Sequence, residues 1–208
     1  MEVVTEEIVI LARTTMAGGV CVGAYDTNNN NMIRLFDENG QNLMSHAPYR
    51  VGDIYSGKYK FKRSLAYPHV EDVIVIEAAY EGSVFENERF ERTFNTLIDS
   101  LAYKDLNPSD LFDGKLVWER SAFVEIDNRP TYSVMIASLD RDLHKDGDYF
   151  IWTEFYDVYR VKYVGTKPIE QLPATINAGM FIRLSLARFW DKDKDGVKRS
   201  YLQLSWVY

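Results

Sequence analysis

Apolar and polar residues alternate along much of this chain, as they do in β-strands that bury one face. The clearest example is the segment 53–63. One face of that segment carries aromatic residues and a glycine, at Tyr55, Gly57, Tyr59 and Phe61. The opposite face carries lysines, at Lys58, Lys60 and Lys62. The segment therefore predicts a strand with one buried and one solvated face.

Other segments rich in β-branched and aromatic residues predict further short strands. They are separated by glycine, proline and asparagine residues, which favour turns. The predicted strands are 7–13, 20–26, 32–36, 70–79, 116–118, 122–126, 133–137, 148–152, 159–164, 180–190 and 198–208. Many short strands with such breaks indicate a β-barrel or a β-sandwich.

One segment in the middle of the chain has helical spacing instead. Residues 88–101 place apolar side chains three and four positions apart, at Phe90, Phe94, Leu97, Ile98 and Leu101. Asn107 before Pro108 predicts a short capped turn over 107–112. The sequence thus predicts a mainly β fold with minor α content and one main helix in the middle segment.

Composition indicates an ordinary water-soluble chain with room for a sizeable core. The 208 residues are 46% hydrophobic and 26% charged. No apolar run approaches the roughly 18 residues that a membrane span needs, and residues 1–7 lack the basic start of a signal peptide. Cys21 is the single cysteine, which excludes an internal disulfide. We expect a cytoplasmic protein with no membrane partner.

Charge is distributed unevenly along the chain. The formal net charge is −7, which argues against a simple nucleic-acid binder. Residues 66–150 hold 18 acidic and 8 basic side chains, whereas residues 151–208 hold 9 basic and 6 acidic ones. Residues 1–65 are balanced. A local basic surface built by the two ends therefore stays compatible with the sequence.

Motifs for catalysis and metal binding are not evident. His46, His69 and His144 lie far apart and none has the spacing of a metal ligand set. Cys21 lies in an apolar segment, which favours an inert buried thiol. We predict no catalytic residues, no metal ligands and no cofactor, although an enzyme with an unrecognised site stays open.

Basic residues near aromatic ones form the best candidate site. Lys60, Lys62 and Arg63 lie on or beside one strand, and Arg13, Arg34, Arg183 and Arg188 lie within or beside apolar strands. Arginine suits phosphate because its fork binds two oxygens, and small barrels hold single strands with outward cations and stacking aromatics. The alternative is that these residues form solvated faces and internal salt bridges to the acidic middle.

Residues at both ends of the chain resemble the dual OB-containing domain family of prokaryotes. At the N-terminus the resemblance is carried by Ile10–Arg13, Gly18–Gly23, Tyr25-Asp26, Ile33–Leu35 and Gly40. At the C-terminus it is carried by Ile182–Arg188 and Tyr201–Tyr208. Met32 stands where the family usually has tryptophan, and Ser200 stands where a cysteine is often found.

The resemblance implies two small OB-like β-barrels. We expect an N-terminal barrel over 1–80, a helical connection over 81–114 and a second barrel over 115–208, whose final hairpin packs on the N-terminal strands. Arg13 and Arg34 would then approach Arg183 or Arg188.

The resemblance also implies recognition of nucleic acid or a nucleotide. The leading hypothesis is a non-enzymatic module that binds such an anion through a basic and aromatic β surface. The alternative is a protein-interaction factor of a phage or bacterial conflict system, which uses the acidic segment 66–150 to dock on a basic partner.

The segment 191–196 opens like a calcium loop, with Asp191, Asp193, Asp195 and then Gly196. The twelfth position, where such a loop needs a bidentate carboxylate, is Leu202, and the flanks are strand-like rather than helical.

We predict a hairpin turn that binds no calcium at physiological concentrations. Calorimetry should detect no binding, and a dissociation constant in the micromolar range of sensor loops would contradict this prediction.

Overall fold

The computed structural model describes residues 4–63, 65, 67–86, 88–154, 157–192 and 194–208. Its strands are β1 Val4–Met16, β2 Gly19–Asp26, β3 Asn31–Phe36, β4 Asp53–Phe61, β5 Asp72–Ser83, β6 Ala102–Leu106, β7 Val117–Trp118, β8 Ala122–Glu125, β9 Val134–Leu139, β10 Leu143–Asp146, β11 Tyr149–Glu154, β12 Asp157–Tyr163, β13 Thr175–Ile176, β14 Phe181–Leu186 and β15 Arg199–Val207. Its helices are α1 Glu88–Leu101 and the single turn α2 Leu111–Gly114.

The prediction of a mainly β fold with one main helix is confirmed. Helix α1 has the bounds that its apolar spacing predicts, and it buries Phe94 and Ile98. Asn107 caps a 3-10 turn over Pro108–Asp110, as predicted. The predicted strand 180–190 is shorter than expected, because β14 ends at Leu186. No helix in the described part of the chain is long and apolar enough to cross a membrane.

The residues divide into two compact units. The first comprises residues 1–66 and 71–100, and the second comprises residues 67–70 and 101–208. Residues 67–70 thus belong to the second unit although they lie between β4 and β5 of the first. Within the second unit, His69 Nε2 lies 3.2 Å from the carbonyl oxygen of Ala187. The expected borders at residues 80 and 114, with a separate helical connection, stay a prediction.

The first unit is a closed barrel with the strand order β1-β2-β3-β5-β4. Strand β1 is long enough to pair with β4 through Val4–Val9 and with β2 through Ile8–Met16. A register shift between Ile10 and Ala12 bends the strand between the segment that pairs with β4 and the segment that pairs only with β2. Strands β3 and β5 pair in parallel. Five strands closed in this way form the barrel expected of an OB fold.

Glycines allow close backbone approach in this barrel. A side chain at Gly19 would overlap the carbonyl oxygen of Leu43, and that same oxygen accepts a hydrogen bond from the N–H of Val20 at 2.8 Å. A Cβ at Gly57 would lie 2.7 Å from the carbonyl oxygen of Glu77 on the neighbouring strand. Both positions therefore require glycine for steric reasons.

A buried ion pair joins β3 to β5. Arg34 and Asp72 are directly opposite in the parallel register, and both side chains are buried. The Arg34 Nε donates to Asp72 Oδ1 at 2.6 Å, and Nη2 contacts the same oxygen. Burial lowers the pKa of Arg34, but the nearby Cys21, Asp72 and Glu71 outweigh burial and raise that pKa. The pair holds together the two strands whose contact closes the barrel.

A second buried carboxylate, Asp26, ends β2. Its oxygens accept hydrogen bonds from the backbone N–H groups of Asn28 and Asn29, from the Asn29 side chain and from the Tyr59 hydroxyl. Burial raises the pKa of Asp26, but the hydrogen bonds from Asn29 and Tyr59 outweigh burial and lower that pKa below its ordinary value. This network fixes Asn28 and Asn29 of the turn to the barrel.

The second unit is built on a sheet with the path β13-β10-β11-β12-β15-β14-β9-β6, and β8 pairs with both β15 and β7. Its core contains the inward residues of these strands, including Phe150, Trp152, Ile182 and Leu204. Strands β14 and β15 pair antiparallel and are joined by residues 187–198, which confirms the predicted final hairpin.

Strand β15 changes neighbours along one edge. It pairs with β8 through Arg199–Tyr201 and with β12 at Gln203 and Leu204. Its opposite edge is occupied by β14 and, at Arg199, by Trp190. Strands β8 and β12 therefore share one edge of β15, and they separate from each other around Tyr201.

We predict that Arg34→Met lowers the free energy of unfolding by roughly 3–5 kcal/mol, because it removes the guanidinium that compensates the buried Asp72 carboxylate. Lys58→Met is the matched control, since Lys58 pairs with the exposed Glu77 at 2.8 Å and should cost under about 1 kcal/mol. Urea denaturation of both variants measures the difference. Equal costs would contradict a structural role for the Arg34–Asp72 pair.

We predict that Tyr59→Phe lowers the free energy of unfolding by roughly 1–3 kcal/mol at neutral pH, because it removes a donor from a buried carboxylate. The contribution of Asp26 is present above its ordinary pKa of 3.8 and is lost as pH falls through its lowered folded-state pKa.

The cost of Tyr59→Phe should therefore shrink when urea denaturation is repeated near pH 3 (about one unit below the ordinary value). Tyr25→Phe is the control, since the Tyr25 hydroxyl donates to the neutral Asn30 side chain at 2.9 Å. A cost for Tyr59→Phe that does not change with pH would exclude the ionised Asp26 as the cause.

Candidate functional site

A cleft of about 510 Å³ opens in the second unit where β8 and β12 separate. Four basic, three aromatic and two acidic side chains line it, together with one serine. They are Arg120, Arg160, Lys192 and Arg199; Phe123, Tyr149 and Tyr201; Glu119 and Asp195; and Ser121. The mixture of cations and aromatic rings distinguishes this cleft chemically from the apolar core beneath it.

Strand alternation explains why these side chains face outward. In β15, Ser200, Leu202 and Leu204 are buried, so Arg199 and Tyr201 lie on the opposite face. In β12, Val161 and Tyr163 are buried, which places Arg160 on that outer face. The cleft residues of β12 and β15 are therefore the polar half of two amphipathic strands.

Each of three cations lies over an aromatic ring. The Arg160 guanidinium carbon is 4.4 Å from the centre of the Tyr149 ring, and the Lys192 ammonium nitrogen is 4.5 Å from the centre of Tyr201. Arg199 lies 5.3 Å from the centre of Phe123. Such pairs are attractive because the ring face is negative. They orient the cations without neutralising them.

Two carboxylates contact the cations of the cleft. Asp146 Oδ2 lies 3.1 Å from Arg160 Nη2, and Asp195 Oδ2 lies 2.8 Å from Arg199 Nη2. The hydrogen bond from Arg199 is the main reason that the pKa of Asp195 is lowered. The Nε atom of Arg160 is buried and has no hydrogen-bond partner among the described residues.

The turn before β15 positions Lys192 and Asp195. Asp191 accepts hydrogen bonds from the N–H groups of Asp195 at 3.1 Å and Gly196 at 3.0 Å. Lys194 and Gly196 have positive φ values of 57° and 81°, so the sequence correctly predicts Gly196 as a turn residue but misses Lys194. Asp193, the middle acid of the calcium-like motif, lies outside the described residues.

Of the predicted site residues in the first unit, two arginines are engaged by the fold. Arg34 is 9% exposed and pairs with Asp72. Arg13 donates to the carbonyl oxygens of Ser45 (2.5 Å), Ala47 (2.7 Å) and Tyr49 (2.5 Å). Arg13 therefore ties the connection between β3 and β4 to β1.

The predicted lysines and Arg63 lie at the end of β4. The Lys62 ammonium nitrogen is 3.9 Å from the centre of the Phe36 ring and donates to the Gly40 carbonyl oxygen at 3.0 Å. Arg34 also approaches Phe36, at 5.5 Å. Lys60 is half-buried and Arg63 is exposed. The structure thus brings both Arg34 and Lys62 close to the Phe36 ring.

The two predicted site residues of the second unit differ in exposure. Arg183 is 4% exposed and donates to the Ser205 hydroxyl at 3.0 Å, which in turn donates to the Arg183 carbonyl oxygen at 2.9 Å. Arg188 is exposed and follows β14, in the connection that also carries Lys192 and Asp195.

The cleft itself was not predicted from the sequence. Two signals in the sequence point toward it: the basic excess of residues 151–208 and the shared face of Arg199 and Tyr201 in an alternating strand. The residues that give these signals meet in one cleft because β8 and β12 lie along the same edge of β15, and residue spacing does not reveal this pairing. The part of the chain that the structure describes contains no group of three or more histidine, cysteine or acidic side chains able to hold a metal ion.

A family model described as the dual OB-containing domain matches residues 6–207. No curated protein sequence is similar enough to count as a relative. A murine DNA-binding protein bound with double-stranded DNA is similar at 11% identity and a TM-score of 0.30, covering 100% of this chain and 98% of that one. The Ifi202 HINa domain in complex with 20-bp double-stranded DNA is similar at 11% identity and a TM-score of 0.31, covering 98% and 99%. At this identity and TM-score, the similarity does not indicate which ligand the present chain binds.

The family match spans both compact units, and the first of them has the closed five-stranded barrel that the name of the family implies. The resemblance seen at the two ends of the sequence extends across the middle segment as well. The chain belongs to the dual OB-containing domain family.

Proposed function

We propose that this protein is a non-enzymatic module that binds nucleic acid or a nucleotide-type anion, and that the cleft of the second unit is its binding site. The observation that carries the proposal is the set of three cation–aromatic pairs that line this single cleft. Such a surface offers both of the contacts that an unpaired nucleotide needs, a charge for the phosphate and a flat ring for the base.

The phosphate contacts come from the guanidinium groups. Arg120 is exposed at the mouth of the cleft, and its carbonyl oxygen accepts the N–H of Arg160 at 3.3 Å, which fixes the two residues next to each other. Arg160 and Arg199 reach the cleft from neighbouring strands. A guanidinium fork binds two phosphate oxygens at once and stays charged at any physiological pH.

The base contacts come from the aromatic rings. Tyr201 lies between Phe123 at 5.8 Å and Trp190 at 6.4 Å, measured between ring centres. Trp190 is 51% exposed, which is unusual for so large an apolar side chain. Stacking on such rings tolerates any base, because every base has a flat π-face. We therefore expect little sequence preference.

Four of the predicted cations do not line the cleft, and two of them, Arg63 and Arg188, are exposed. We propose that Lys60, Lys62, Arg63 and Arg188 add attraction for a nucleic-acid backbone by charge alone. Arg13, Arg34 and Arg183 are bound to carbonyl, carboxylate and hydroxyl groups of the chain itself. We propose that these three arginines stabilise the fold rather than contact the ligand.

Docking of the acidic segment on a basic partner, within a phage or conflict system, stays a prediction. Several acids of segment 66–150 bind groups of this chain instead: Asp72 binds Arg34, Glu77 binds Lys58, Asp140 binds Arg141 and Asp146 binds Arg160. These contacts favour the anion-binding role, because they assign four of the 18 acids of the segment to internal ion pairs.

We predict that the protein binds single-stranded DNA and RNA of about 12 nucleotides, with an affinity that falls steeply with salt. Arg120→Glu should weaken binding and reduce the slope of log K against log salt concentration by about one, because one phosphate contact is lost. Fluorescence anisotropy at two or more salt concentrations measures both quantities.

Lys167→Glu is the matched control for this experiment. Lys167 is an exposed cation of the same unit that does not line the cleft. It should change affinity much less than Arg120→Glu does, and both variants should keep the melting temperature of the unaltered protein. Equal losses in the two variants would refute the proposed site, and absence of binding would exclude a nucleic-acid strand as its ligand.

A further inference from the structure

Side chains of the protein itself already contact two of the arginines and one of the rings that the proposed site offers. A carboxylate contacts each of two guanidinium groups, Asp146 on Arg160 and Asp195 on Arg199. An ammonium group covers the Tyr201 ring, from Lys192. These side chains occupy the positions where a phosphate and a base would make their contacts.

The internal contacts in the cleft are easily exchanged. The side chains of Asp146 and Asp195 are 60% and 42% exposed, so water screens their attraction to the arginines. Asp195 and Lys192 lie in the same turn. Displacing these side chains exposes polar groups to water and breaks no apolar core, whereas displacing a buried pair such as Arg34–Asp72 would open the barrel.

The size and shape of the cleft limit what can replace these groups. A volume of about 510 Å³ is within the usual range of pockets for small molecules. A DNA duplex is read by helices or strands that protrude into its grooves, and a concave cleft offers no such element. One base with its phosphate is the unit that matches a concave site of this size.

Resting on the proposed function, we infer that the cleft takes one unpaired nucleotide by exchange. Its phosphate replaces the carboxylates of Asp146 and Asp195 on Arg160 and Arg199, and its base replaces the Lys192 ammonium on Tyr201. The unit is either a free nucleotide or an unpaired nucleotide within a strand, since both present the same phosphate and base.

The exchange makes Asp146 and Asp195 determinants of affinity and specificity. A ligand must supply a phosphate that replaces the carboxylates on the arginines and a flat ring that replaces the ammonium group on Tyr201. Inorganic phosphate or a nucleoside alone meets only half of this requirement. The two carboxylates compete with the ligand, so neutralising either one should strengthen binding rather than weaken it.

Calorimetry of the full chain with adenosine monophosphate and with a single-stranded oligodeoxyadenylate tests the exchange. Asp195→Asn should strengthen binding about two- to fivefold, the range expected when one exposed ion pair no longer competes. Asparagine keeps the oxygen that accepts the N–H of Val197 at 2.9 Å, so the turn should be retained. Asp146→Asn should give a similar gain and provides a second, independent variant.

Asp140→Asn is the matched control. Asp140 also pairs with an arginine, Arg141, at 2.6 Å, but Arg141 does not line the cleft, whereas Arg160 and Arg199 do. It should leave affinity unchanged, so a gain specific to Asp146 and Asp195 cannot arise from net charge alone. Equal gains in all three variants would overturn the exchange.

The choice of probe distinguishes the two sources of the nucleotide and the two possible failures. Tight binding of adenosine monophosphate assigns the site to a free nucleotide, and binding of the oligonucleotide alone assigns it to a strand. Binding of inorganic phosphate or adenosine as tight as that of the nucleotide would overturn the inference.

If Arg120→Glu weakens binding but Asp195→Asn and Asp146→Asn do not strengthen it, only the exchange is wrong. If no probe binds, the exchange and the proposed function are both wrong.

Discussion

The second unit is organised by one constraint on strand β15: each edge of a strand can hydrogen-bond to only one neighbour at a time. One edge of β15 is occupied by β14 and Trp190, so β8 and β12 must share the other. They cannot both continue past Tyr201, and the sheet opens there. The opening lies on the outer face, because Leu202 and Leu204 fill the inner one. Strand pairing thus opens the cleft, and the connections that precede β8 and β15 complete its lining.

Charge in this protein is used in two ways that depend on depth. At the buried Arg34 the chain supplies a carboxylate in register, and the resulting pair holds two strands together. Where cations are half-exposed, as at Arg160 and Arg199, the carboxylate contacts are screened by water. The acidic middle segment supplies carboxylates of both kinds, Asp72 for the buried Arg34 and Asp146 for Arg160. A net charge of −7 is therefore compatible with a basic cleft.

The sequence predicted what depends on local periodicity. The alternation in 53–63 predicted β4, and apolar spacing predicted α1, because burial of one face imposes a period on the residues themselves. The function of each arginine could not be predicted in the same way. Arg34 and Arg199 both occur in amphipathic strands, and only the strand placed beside each one decides whether it meets the buried Asp72 or an open cleft. The cleft lies among β8, β11, β12 and β15, which are brought together by topology alone.

The short stretch 67–70 has a consequence for how this architecture is inherited. It lies between two strands of the first barrel, yet it belongs to the second unit, where His69 meets the carbonyl oxygen of Ala187. A single cut anywhere in the chain therefore cannot yield both units intact. Recombination that exchanges contiguous gene segments would separate residues 67–70 from the unit they complete. The two units are therefore expected to be inherited, duplicated and lost together rather than as interchangeable modules.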